Sequence, residues 1–191
     1  MLTREWGINK IMRIFFQFLL IVLLFSIVGT GCSRTVKVEN MTPGELNIVN
    51  KHPYSVYVLV KGDMSLSSAK GKKDEIDRER LQQVIESSII KSGLFQSLAS
   101  REQADYLLEV VVFKSNVIGV PTATITTAVP MNWVLMSREP QKSIYQDRTE
   151  HHFTVKLREK LGPANRYSWA NEGSVKLSIE QALWDISKLQ L

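Results

Sequence analysis

The sequence predicts a small α+β domain behind an N-terminal export leader, and three features of the chain lead there. Strand-like alternation recurs at 55–61, 104–114, 122–137 and 143–157. Apolar residues recur at helical spacing around 77–92 and again near the C terminus, and an uncharged greasy run, 14–28, stands apart from both. The predicted order is β-α-β-β-β-α, an antiparallel-rich sheet of about four strands with two helices packed on one face.

Ile14 to Val28, IFFQFLLIVLLFSIV, holds no charge and one amide, Gln17, and is preceded by Arg4, Lys10 and Arg13. A basic stretch followed by about 15 apolar residues is the layout of an export signal. The run is short for a lasting membrane helix, which needs about 20 residues, although Gly29 to Gly31 can extend it, so an uncleaved anchor stays open. Met12 also qualifies as a start, because MRIFFQFLL alone makes a complete leader. Directly after the run come Gly29, Thr30, Gly31 and Cys32, the only cysteine of the chain. A lone thiol cannot form an intrachain disulfide, and left bare in an oxidising compartment it invites cross-linking between chains.

Small residues followed by cysteine at the end of an apolar run resemble the lipobox of bacterial lipoproteins, with Gly29 where that motif usually carries leucine. The resemblance implies cleavage before Cys32 and acylation of its sulfur. Two or three acyl chains, at about 0.8 kcal/mol per buried methylene, make a lasting anchor. The chain then divides into a signal peptide, 1–31, a lipidated N terminus and tether, 32–53, and a periplasmic α+β domain, 54–191. Ser33 stands where an aspartate retains such proteins in the inner membrane, which by the same resemblance implies the outer membrane.

Residues 33–52, SRTVKVENMTPGELNIVNKH, mix charge, Asn, Pro43 and Gly44 without a period, which suits a tether. In SVYVLVK, 55–61, Val56, Val58 and Val60 face one way and Tyr57 and Leu59 the other; both faces are apolar, as in a strand central in a sheet. GDMSLSSAKGKKDE, 62–75, reads as a mobile loop that solvates Lys70, Lys72 and Lys73. A helix follows in which Asp77 caps the free amides, Ile76 packs back on Leu81, and Leu81, Val84, Ile85 and Ile89 form one stripe. Gly93 ends it, since glycine takes the left-handed conformation at least cost, and Leu94 and Phe95 fold onto the core.

After the loop QSLASREQA, the segment ADYLLEVVVFK, 104–114, is the second strand. Gly119 and Pro121 mark a turn into the long strand 122–137, where Pro130 has no amide to donate and predicts a bulge or an edge. SREPQK turns the chain into 143–157, the antiparallel last strand. LGPANRYSWANEG reads as a loop, with Asn171 and Glu172 as the N-terminal capping pair of the final helix. On that helix Val175, Ile179, Ala182, Leu183, Ile186 and Leu189 make the sheet-facing stripe. Leu177, Trp184 and Leu191, seven apart, align on the opposite side. Either another part of the chain covers this second seam or it is a contact surface for a partner.

The formal charge is +5, but the leader alone holds Arg4, Lys10 and Arg13 against Glu5, so the remainder is closer to neutral. It carries no dense Lys/Arg face interleaved with aromatics, and no nucleic-acid partner is expected. No GxSxG, HExxH, GxxxxGK[ST] or CxxC motif occurs. His52 falls in the tether, and His151 and His152, adjacent on a strand, point to opposite faces and cannot converge on one metal. His151 shares its face with Phe153 and Val155, the pattern of a packed histidine rather than a general base. Glu109 is the one carboxylate at a position open to burial, and solvent, Arg148 or Lys156 accounts for it without a catalytic role. No catalytic residue, cofactor, metal or small-molecule substrate is expected.

DRERLQQVIESSIIKSGLFQSL, ADYLLEVVV, MNWVLMS and WANEGSVKLSIEQALWDIS together resemble a recurrent pattern in small bacterial envelope lipoproteins. Many of these are uncharacterised, and some are loosely similar to accessory lipoproteins of envelope transport systems; the pattern covers residues 54–190. The resemblance implies a lipid-anchored, non-catalytic accessory or scaffold of the outer membrane, its domain in the periplasm and in contact with an envelope protein. Leu177, Trp184 and Leu191 are the candidate contact residues, and the hairpin end Ile118 to Ile125 is a second candidate surface. Two alternatives stand. One is an envelope hydrolase of glycan or ester, which needs Glu109 to converge with His151 or Glu150; the other is a bitopic inner-membrane protein that keeps its N-terminal helix.

Overall fold

The computed structural model describes residues 37–62, 65–66, 74–75, 78–118, 124–156 and 163–191, within a compact unit that runs Arg34–Leu191. The leader with Cys32, the Ile76 and Asp77 cap, the lysines at 70, 72 and 73, and the turn residues Gly119 and Pro121 lie outside the described residues. The described helices are α1 (Val38–Met41), α2 (Arg78–Ser92) and α3 (Pro163–Ser187). The described strands are β1 (His52–Gly62), β2 (Ser65–Leu66), β3 (Asp74–Glu75), β4 (Phe95–Leu98), β5 (Tyr106–Val112), β6 (Asn116–Ile118), β7 (Thr124–Ala128), β8 (Met131–Ser137), β9 (Lys142–Thr149) and β10 (His152–Lys156).

The class is α+β, as the sequence predicts, but the main sheet has five strands in the order β4-β1-β5-β8-β9 and is mixed. β1 runs parallel to both β4 and β5, whereas β5, β8 and β9 are antiparallel neighbours. The parallel pairs follow from the connection: β1 returns to the sheet through α2, and a crossover of that length brings the chain back in the same direction. Leu94 and Phe95 do fold onto the core, but Phe95 also opens the edge strand β4, in what reads as loop sequence. The loop after β1 contains a short antiparallel ribbon, β2 with β3.

The two long strands expected at 122–137 and 143–157 are each divided. β7 gives way to β8 at Val129–Pro130, β9 to β10 at Glu150–His151, and β5 to β6 at Phe113–Ser115. The segments on the far side of these breaks form their own antiparallel sheet, β10-β7-β6, which continues β9-β8-β5 in the same lateral order. Proline explains the break at its centre. Pro130 has no amide for the ladder, its carbonyl accepts from Phe113 N at 3.0 Å, and the Val129 amide donates to Ser174 Oγ at 2.8 Å on α3.

The core lies between one face of the main sheet and the helices. Val56, Val58, Val60, Leu108, Val110, Trp133 and Leu135 form one cluster with Leu81, Val84, Ile85 and Ile89 of α2 and Val175, Ile179, Leu183 and Ile186 of α3. Trp133 is fully buried and its indole N–H donates to Thr149 Oγ1 at 2.9 Å, so the large ring keeps its polar atom satisfied. The α2 stripe is the predicted one, and Gly93 ends that helix at φ 63°. A smaller cluster of Ile125, Val155, Tyr167 and Ala170 joins the second sheet to the first half of α3.

Two expectations are corrected at the chain's ends. α3 begins at Pro163, not near Asn171, so Asn171 and Glu172 are interior helical residues, 0% and 2% exposed, rather than a capping pair. The segment expected to be a tether is also part of the fold from residue 37 onward. Met41 is fully buried in the main core, Pro43 is buried, and His52, 4% exposed, opens β1 with its Nε2 3.1 Å from the Ile186 carbonyl oxygen.

Candidate functional site

Glu172 is the residue that holds the N-terminal segment in place. Its carboxylate sits in the middle of α3 and accepts from the Lys37 amide at 2.9 Å and from Asn40 Nδ2 at 2.7 Å, so both oxygens are occupied by α1. The first amides of a helix have no partner within it, and here a carboxylate 135 residues away satisfies the one at the N-cap position. Charge-assisted bonds of this kind are roughly twice as strong as neutral ones. α1 therefore lies with α2 and α3 in one helical layer, with Met41 as its apolar peg.

The helical layer carries the predicted contact residues, though not as a continuous seam. Trp184 is 41% exposed, and Leu177 is half-buried. α3 ends at Ser187, so the spacing of seven does not carry Leu191 along the helix; the chain turns and packs Leu189 and Leu191 against the core. Around Trp184, Lys188 Nζ stands 2.9 Å from the ring centroid and also donates to Asp185 Oδ1 at 2.8 Å. Tyr145 of β9 packs against the main core, its hydroxyl pushed well above the usual tyrosine range by burial and then by the Asp147 and Asp185 carboxylates. At the far end of the molecule Val117 and Ile118 are exposed, but Ile125 is buried, which removes it from any contact surface there.

Of the residues considered for catalysis, Glu109 and Glu150 are each paired with a cation. Glu109 faces away from the helices and pairs with Lys61 of β1 at 2.6 Å, a lysine on a neighbouring strand but neither Arg148 nor Lys156. Arg148 lies over the Phe113 ring, 5.3 Å from its centroid, and reaches Glu150 at 3.5 Å, while Asn116 also donates to Glu150. His151 and Phe153 are half-buried and Val155 buried, with His152 and Thr154 exposed between them, the alternation the sequence predicts. Among the described residues no group of three or more His, Cys, Asp or Glu is arranged to hold a metal, and no helix is long and apolar enough to cross a membrane.

A cleft of about 420 Å³ opens at one end of the main sheet between Tyr54, Asp105, Tyr106, Ser137 and Arg138, with a second of about 250 Å³ adjoining it beside Arg101 and Met136. Asp105 is fixed in its wall: it accepts from the Ser55 amide at 2.8 Å and the Ser55 hydroxyl at 2.7 Å. Those two bonds, the amide's first, hold its carboxyl below the usual aspartate range. The Tyr106 hydroxyl beside it is raised by burial and then by Tyr54 and Asp105. A carboxylate held ionised by a serine joins the starts of β1 and β5; it is not poised to exchange protons near neutrality. Sequence reasoning missed the role of Asp105 and read Glu172 as a cap. The only local signal for Asp105 was its place before an apolar strand, and Glu172 had none, because its partners come from the other end of the chain.

No family model matches the chain, and no curated protein matches it. Among solved structures, a Xanthomonas campestris protein of the DUF330 family is similar with a TM-score of 0.51 at 10% identity, over 76% of this chain and 90% of that one. A minor lipoprotein from Acinetobacter baumannii has a TM-score of 0.47 at 11% identity, covering 70% of this chain and 90% of its own. Protein CT253 from Chlamydia trachomatis has a TM-score of 0.46 at 12% identity, covering 71% and 92%. At 10% identity, the likeness to the Xanthomonas protein is one of fold.

Proposed function

We propose that this chain is a lipid-anchored, non-catalytic protein of the bacterial envelope, held by acyl chains on Cys32 and working by contact as an accessory or scaffold in an envelope assembly or transport system. One observation carries the reading. The greasy leader ends in Gly29, Thr30, Gly31 and the only cysteine, and the described fold begins at Lys37, five residues beyond that cysteine. A leader that ends shortly before the folded domain is what export and cleavage at that point require. The contact role draws on the exposed Trp184 and the half-buried Leu177 of the helical layer. The outer membrane is the expected location because Ser33 follows Cys32.

Growth with a labelled fatty acid tests the anchor. The wild-type protein incorporates label and Cys32→Ala does not; label retained by Cys32→Ala removes the reading. Density-gradient separation of the two membranes then assigns the location.

A further inference from the structure

We propose that the helical layer of the lipidated protein lies on the bilayer surface, with Trp184, Ile90 and Val49 seated at the lipid–water boundary and the open face of the main sheet turned away. Acylation of Cys32, as proposed above, is its premise.

The length of chain between the anchor and the fold comes first. The Lys37 amide is bonded to Glu172 and Met41 is fully buried, so the leash from Cys32 is Ser33 to Val36 and no more. Whatever their conformation, the steps from 32 to 37 span at most about 18 Å. A domain of this size has a radius of gyration of about 15 Å and so measures on the order of 40 Å across. The leash is less than half that width. A body held so closely cannot swing free of the membrane, and the side by which it is held is the side of α1, within the helical layer.

The surface chemistry of that layer fits the same partner. Ile90, Val49 and Trp184 are among the most exposed large apolar residues, at 63%, 60% and 41%. The Val49 amide donates to Ser187 Oγ at 3.1 Å, and that hydroxyl donates to the Trp184 carbonyl oxygen at 2.7 Å, which sets Val49 within a turn of Trp184. Lys51 lies beside Gly93, whose amide bonds the Ile90 carbonyl oxygen at 3.1 Å. Residues 49–51 thus link the C-terminal ends of α2 and α3, where Lys51, Lys91 and Lys188 are also exposed. Tryptophan and aliphatic side chains ringed by lysines are the composition of a surface that sits among headgroups, because the apolar parts enter the boundary while the ammonium groups meet anionic lipid. Glu172 and Trp184 are 12 residues apart on α3, about 18 Å along its axis at 1.5 Å per residue, so the leash point and the apolar patch lie within the length of one helix.

Because an acylated Cys32 has no free thiol, a cysteine introduced elsewhere in the full-length lipidated protein is the only one a thiol dye can label. The protein is purified with its acylation verified by mass, and labelled at Ile90→Cys, Val49→Cys or Gln146→Cys. Each form is reconstituted in vesicles of phosphatidylethanolamine and phosphatidylglycerol that carry a shallow lipid-borne quencher. All three positions are exposed, and Gln146 pairs with Val134 on the open face of the sheet, so none of the substitutions disturbs the core. Dyes at residues 90 and 49 should be blue-shifted and quenched several-fold more than the dye at 146. Equal quenching at all three, or greater quenching at 146, overturns the orientation while leaving the anchor intact. Dye entering the unsubstituted parent instead reveals a bare Cys32 and overturns the anchor itself.

Discussion

Replacing Met41 by alanine separates a tether from a folded element, because the two predict opposite outcomes at a residue whose sequence surroundings are polar. The Met41 side chain is 0% exposed and belongs to the main core cluster together with residues of all three layers of contact: α2, α3 and the sheet. Truncation removes the thioether and leaves a cavity, and buried Met→Ala changes cost about 2–5 kcal/mol. Taking about 3 kcal/mol, a domain of this size loses about 6–12 °C in melting temperature. With a urea dependence of about 2 kcal/mol per molar, the midpoint falls by about 1.5 M. Urea unfolding followed by far-UV circular dichroism and by tryptophan fluorescence measures it. Val49→Ala, in the same segment but 60% exposed, is the control and stays within about 0.5 kcal/mol of wild type. A Met41→Ala protein as stable as that control refutes the docking of residues 37–52 and, with it, the short leash.

Two further outcomes follow from the geometry. A Cβ added at Gly173 falls against the Phe153 ring, closer than real contacts allow. Glycine to alanine in a helix ordinarily gains about 1 kcal/mol, but overpacking costs about 1–3 kcal/mol, so Gly173→Ala should be neutral to destabilised and Gly173→Leu clearly destabilised; a stabilised leucine variant would show that the ring is not held there. Asp105 has a folded-state pKa below its unfolded value of 3.8. Its contribution is therefore present above that value and lost as pH falls through the lower folded one. Asp105→Asn should be less stable than wild type at neutral pH and should converge with it in strong acid, as read by urea midpoints across pH; a difference unchanged from pH 7 to acid would deny the ionised Ser55 contact.

Much of the fold is legible in local pattern. The α2 stripe, the Gly93 stop and the inward face Val56, Val58 and Val60 all follow from spacing alone, since burial on one side imprints a period on the sequence. Pro130 announced a break but not its consequence, which is a second sheet. That depended on three strands bending at one level, and pairing between distant segments leaves no local trace. β4 was missed because four residues are too few to show alternation. Ser168, Asn171 and Gly173 made the first half of α3 read as loop, whereas the glycine is there to admit Phe153, and the next residue, Ser174, serves the Val129 amide and the His151 carbonyl. Of the candidate surface, Trp184 was legible as an apolar residue on the wrong side of an amphipathic helix. Leu191 was not, because its heptad spacing runs past the end of the helix. Lys61 as the partner of Glu109 required knowing that β1 and β5 are parallel neighbours, which composition and spacing do not carry.

The most direct measurement is the mass of the N-terminal peptide of the protein isolated from the membranes of the cells that make it. The account predicts a peptide that begins at Cys32 with a diacylglyceryl group on its sulfur. A peptide with Cys32 unmodified, or still joined to Gly31, contradicts it.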